Sequence, residues 1–182
     1  MTSKARFTII GLVTLLIWAH LGWDYVNEGV PSHTILIFES KPKISNWWGG
    51  TILPLLTWFL LHRIQRRLNE KNDAGVKIGP RYSVYGFLVS LLFGILFPYF
   101  YLSGHSLSDS SNPEYLLLTL IVTSFFIPLY RAEYFLGLVI GMTYALGPII
   151  PIGIGVVLIT LFAIPYKFLR PGILYIVSLI RG

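Results

Sequence analysis

The stretch RIQRRLNEKNDAGVKIGPR, residues 63–81, carries six of the fourteen Lys and Arg residues of the chain and lies between two long apolar segments. Arg63, Arg66, Arg67, Lys71, Lys77 and Arg81 are costly to place in hydrocarbon, whereas the segments on either side are not. The remaining charges follow from this one connection. Lys4 and Arg6 precede an apolar run over residues 7–23. Arg131 occupies a tight link further on, and Lys167, Arg170 and Arg181 follow the last apolar run. With six crossings, twelve of the fourteen basic residues fall on one side of a bilayer, and only Lys41 and Lys43 fall on the other. His20, Asp24, Glu28, His33, His105 and Asp109 share that second side. The positive-inside rule then predicts that both termini are cytoplasmic.

Composition supports the same class. The 182 residues are 54% hydrophobic and 15% aromatic, and only 12% are charged, against roughly 25% in soluble domains. So few charges cannot cover a water-soluble domain. The apolar residues also come in blocks rather than in amphipathic alternation. No polar block is long enough for a second domain, so residues 1–182 are expected to form a single integral membrane domain. The net charge of +6 is read as orientation charge, and no nucleic-acid partner is expected, because no RNA-binding signature is present. Cysteine is absent, which excludes disulfides, zinc–thiolate sites and thiol catalysis.

Six apolar segments are expected to be helices: residues 7–23, from 44 or 49 to 64, 82–102, 115–130, 134–146 and 149–168. Lys4 and Arg6 before the first resemble the start of a signal peptide. However, the run continues to Trp23 without a small-x-small cleavage site, so an uncleaved span is expected. A straight helix needs about 20 residues to cross, which makes the fourth and fifth segments short. The fifth must nevertheless cross to keep Lys167, Arg170 and Arg181 on the basic side. The expected fold is an all-α, six-transmembrane-helix bundle in a bacterial-type cytoplasmic membrane. Residues 169–182 would add a short interfacial helix. Trp23, Trp47 and Trp48 mark the opposite membrane boundary.

His20, Asp24 and Glu28 are spaced four apart and share one face if the first helix continues past Trp23. His33 follows after Pro31. Ionisable groups at membrane depth need partners. Imidazole and carboxylate suit zinc and similar divalent ions, and a metal-bound water is a nucleophile near neutral pH. His20, Asp24 and His33 are therefore candidate metal ligands or catalytic acid–base groups. In the alternative reading, His20 and Asp24 simply pair with each other or with a neighbouring helix.

Ser45, Asn46, Trp47 and Trp48 enter the second segment from the His/Asp side. They are candidate substrate-binding residues, because a helix N-terminus suits an anion and a Trp pair can form a rim. A cap with an aromatic anchor explains them equally well. His105 and Asp109 lie in a Ser- and Gly-rich loop and read as solvated. On the basic side, Arg131 and Glu133 are read as structural. Arg131 snorkels, or Glu133 pairs with a cation of the second segment such as His62 or Arg63. Gly137 and Gly141 form a small-residue packing stripe, which is also compatible with a homo-oligomer. Gly147-Pro148 makes the turn into the last segment.

No Walker, Gly-x-Gly-x-x-Gly, Gly-x-Ser-x-Gly or His-Glu-x-x-His motif is present. The expected function is an intramembrane, metal-dependent enzyme acting on a lipid or lipid-linked substrate at the His/Asp face. A small-solute transporter or substrate-binding subunit is the alternative. A helper that binds other membrane proteins is the third reading.

Overall fold

The computed structural model describes residues 3–27, 29–30, 32–34, 43–69, 80–102 and 113–181. The order is α1 (Ser3–Asn27), strands β1 (Ser32–Thr34) and β2 (Lys43–Ser45), a 3-10 turn (Asn46–Trp48), α2 (Gly49–Asn69), α3 (Pro80–Leu102), α4 (Pro113–Phe126), α5 (Ala132–Leu146) and α6 (Ile149–Ile164). A π-helical turn (Pro165–Leu169) then leads into α7 (Arg170–Arg181). Among the described residues, the fold is all-helical apart from one short ribbon. β1 and β2 pair antiparallel, with His33 opposite Ile44. The backbone before α2 thus satisfies its hydrogen bonds in a short ribbon.

Among the described residues, three helical stretches are long and apolar enough to cross a membrane: Lys4–Asn27, Arg81–Tyr99 and Ile149–Ile173. The other three expected spans fall short for identifiable reasons. The last turns of α2 carry Arg63, Gln65, Arg66 and Arg67. The 14 residues of α4 and 15 of α5 give about 21–23 Å at 1.5 Å per residue, against a hydrocarbon thickness of ~30 Å. The last apolar segment also differs from expectation. Its helical backbone continues without a break through the π-helical turn into α7.

The helices bury narrow stripes. Val13, Ile17 and Leu21 of α1, spaced four apart, pack against Leu53, Leu60, Leu61 and Ile64 of α2. Gly50 allows the close approach, because a Cβ there would meet Leu21 and Trp18 at 3.1–3.3 Å. The other faces of α1 expose Phe7, Leu12, Leu15 and Leu16, each more than half accessible. Apolar side chains facing outward along an entire helix suit lipid, not water. α3 and α5 make the tightest pairing. Gly86 and Gly94 of α3 lie against α5. A Cβ on Gly137 would fall on Phe87 O and Ser90 Oγ, and one on Gly141 would fall on Leu91 O. The Gly137–Gly141 stripe is therefore filled by α3 of the same chain.

Candidate ligand cavity and the two polar ends

Antiparallel packing sorts the polar residues into two ends. Arg6 Nη1 donates to Gln65 Oε1 at 3.4 Å, which sets the start of α1 beside the end of α2. The start of α5 meets the same end through Glu133. At the other end, the C-terminal half of α1 meets Gly50 at the start of α2, and Pro148 after α5 packs on Gly49.

The His20 end holds most of the sequence-derived candidates. α1 does continue past Trp23, to Asn27. His20 Nε2 and Asp24 Oδ2 lie 3.8 Å apart with both side chains partly exposed. The backbone of His33 lies in β1, whereas Glu28, His105 and Asp109 lie outside the described residues. Among the described residues, no three His, Cys, Asp or Glu side chains gather into a metal-binding group. Ser45 caps the 3-10 turn, its Oγ accepting from Trp47 N at 3.4 Å. Trp47 lies 6.1 Å from both the Trp18 and Tyr25 rings, and Trp47 and Trp48 are both exposed. Asn46 differs from its neighbours. It is wholly buried beneath Gly147, and neither carboxamide atom has a hydrogen-bond partner.

At the basic end, Glu133 is 2% exposed. Its carboxylate accepts from Arg67 through two bonds, Nη1–Oε2 at 3.0 Å and Nη2–Oε1 at 2.7 Å. Arg67 Nη2 also donates to Ser83 Oγ at 2.8 Å. The expected partner is a cation of the second segment, such as His62 or Arg63. The observed one is a turn beyond Arg63, because α2 stays helical to Asn69. Arg131 lies in the turn ahead of α5. Its backbone N donates to Pro128 O, and its O accepts from Tyr134 and Phe135.

Between α3, α4, α5 and α6 lies a cavity of about 760 Å³. Val89 and Phe93 of α3, Leu120 and Phe126 of α4, Leu138 of α5 and Leu158 of α6 form apolar walls. Ser90, Arg131, Glu133 and Tyr134 are polar residues among its lining. The volume falls within the ~300–1,000 Å³ range of ligand sites, and an apolar wall with a few convergent polar groups is their usual character. α4 packs on α6 and the π-helical turn, which leaves the space beside α3 open.

Sequence reasoning placed the candidate site at the His20 end and missed this cavity. One signal was available: Arg131 and Glu133, two charges in a tight link between apolar segments. Comparisons with protein families, with curated proteins and with solved structures gave no match.

Proposed function

We propose that this chain is a multi-pass membrane protein that binds a lipid or lipid-like molecule in the cavity between α3, α4, α5 and α6. The observation that carries the reading is the cavity itself, apolar along its walls and polar where Arg131, Glu133 and Tyr134 stand. An amphipathic ligand of one long apolar chain and one polar head matches that distribution. Replacing Thr123 or Val89, both in the wall, by Trp would occupy the space. Binding of a fluorescent acyl-chain probe by the purified protein should fall about tenfold, the scale of one lost apolar subsite. Probe binding that is unchanged in both variants rules the cavity out.

The same reading takes the six longer helices as six crossings, with both termini in the cytoplasm and α7 at the membrane surface. In support, Arg6, Arg67, Arg131 and Lys167 belong to one end of the packed helices. Reporter fusions after Arg67 and after Gly182 should report cytoplasm, and one after Ser108 should report the exterior. A C-terminal fusion reporting outside removes a crossing.

A second reading retains an enzyme at the His20 end that acts on a lipid or lipid-linked substrate. The closeness of His20 and Asp24 favours it, since an imidazole near a carboxylate can act as acid or base. Turnover of a lipid substrate, abolished by His20→Ala with the fold intact, would select this reading over simple binding.

A further inference from the structure

A second concave site, of about 390 Å³, lies where the start of α1 crosses the end of α2, and is lined by Arg6, His62, Gln65, Arg66 and Asn69. Among the described residues that line it, all five side chains are polar, two are guanidinium groups, and none is a carboxylate. Arg6 Nε is buried without a hydrogen-bond partner, and Arg6 Nη1 reaches Gln65 only through the long 3.4 Å bond. A buried guanidinium N–H without an acceptor is costly. Phosphate oxygens accept from guanidinium groups such as those of Arg6 and Arg66 and match the forked geometry of arginine.

The surroundings select the kind of phosphate. The apolar run of α1 begins at Phe7, and that of α2 ends at Leu61, immediately before His62. The site thus stands at the edge of the apolar zone. Leu55, Trp58 and Phe59 are exposed on α2, and Phe7 on α1. The Trp58 ring stacks on His62 at 6.3 Å and 19°, and Arg63 lies over the Phe59 ring at 6.0 Å. An exposed apolar surface therefore leads away from the cationic site, as acyl chains attached to the phosphate would require. Basic pockets between membrane helices commonly take anionic headgroups. We propose that Arg6, His62, Gln65, Arg66 and Asn69 hold the phosphate of an anionic phospholipid. This inference rests on the membrane placement above, but not on the cavity ligand.

The test uses the full chain in nanodiscs of equal parts phosphatidylcholine and phosphatidylglycerol, with native mass spectrometry of the lipid retained after release into mild detergent. Phosphatidylglycerol should be retained over phosphatidylcholine by roughly tenfold or more, the scale of two arginines beside anionic lipid. Arg6→Gln with Arg66→Gln should bring the ratio near one. Arg63→Gln, which removes the same charge type outside the site, and Val89→Trp, which blocks the cavity, should leave it unchanged. Excess inorganic phosphate should not displace the lipid. Equal retention of both lipids, a preference that survives the Arg6/Arg66 variant, an equal loss in Arg63→Gln, or displacement by inorganic phosphate overturns the proposal. A chain that does not enter the discs overturns the membrane placement and this inference with it. A chain that enters without lipid preference overturns this inference alone.

Discussion

Arg67 and Glu133, 66 residues apart, meet in a two-pronged ion pair at 2.7 and 3.0 Å. A third bond from Arg67 to Ser83 adds α3 to α2 and α5. Three helices are thus tied at one point by a single guanidinium. Burial makes the pairing obligatory, because the Glu133 side chain is 3% exposed and that of Arg67 25%. A carboxylate in that position cannot be left unpaired.

Arg67→Ala should therefore destabilise the protein by about 3–5 kcal/mol, the usual cost of orphaning one partner of a buried pair. Arg67→Lys should recover only part of this, since an ammonium cannot reproduce the fork. Replacing both partners by apolar residues, Arg67→Met with Glu133→Leu, should cost less than Arg67→Ala alone. Unfolding in detergent micelles gives all three values. An Arg67→Ala protein as stable as the parent would mean that the pair is solvated and weak.

The α3–α5 contact makes a different prediction. Gly137→Ala and Gly141→Ala each place a methyl group on the backbone of α3, which cannot yield as a flexible side chain can. Each should lose stability by about 1–3 kcal/mol, the overpacking cost of a tight core. Gly153 of α6 has nothing within 4 Å of the corresponding position. Gly153→Ala should be neutral or stabilising by roughly 0.5–1 kcal/mol, through helix propensity. Equal behaviour of the three variants would show that α3 and α5 are not in close contact.

These contacts define what the sequence could disclose. The stripe at 13, 17 and 21 on α1 and the run of basic residues at 63–81 are local patterns, and a helix period or a charge count reads them directly. The partner of Glu133 is not local. Arg63 and Arg67 stand one turn apart on the same face of α2, so the spacing gave the face but not the depth. The choice was made by how far α2 extends beyond its apolar part. The Gly137–Gly141 stripe announced close packing without naming α3 as its partner. The cavity was illegible for a stronger reason. Val89, Leu120, Leu138 and Leu158 line a space, yet as residue types they are indistinguishable from residues that fill a core. The burial of Asn46 was equally hidden: next to two tryptophans it reads as a binding residue, and only the turn shows that it lies inside.

The His20–Asp24 pair is expected to matter little for stability. The two groups lie 3.8 Å apart at i and i+4, with side chains 30% and 21% exposed. Pairs of this kind contribute about 0–1 kcal/mol. Asp24→Asn should thus shift unfolding by less than about 1 kcal/mol. A larger loss would identify the pair as a structural anchor and weaken the second functional reading, which requires a replaceable pair with a chemical task.

Gly147 and Asn46 give the most selective test of the His20 end. Gly147 terminates α5 with φ +69° and ψ 176°, a region that residues with a Cβ seldom enter, at a cost of about 1–3 kcal/mol. A Cβ at Gly147 would also fall on the Asn46 carboxamide. Gly147→Ala should accordingly lose stability through backbone strain and steric overlap together. Asn46→Ala breaks no side-chain hydrogen bond, because neither carboxamide atom has a partner, and it opens space where the new methyl group would go. In the double variant the steric part disappears and the backbone strain remains. The double-mutant cycle should therefore show a favourable coupling of about 1 kcal/mol or more, as expected for residues in direct contact. Strict additivity would mean that Asn46 does not lie beneath Gly147, and the packing of the 3-10 turn against the α5–α6 turn would have to be redrawn.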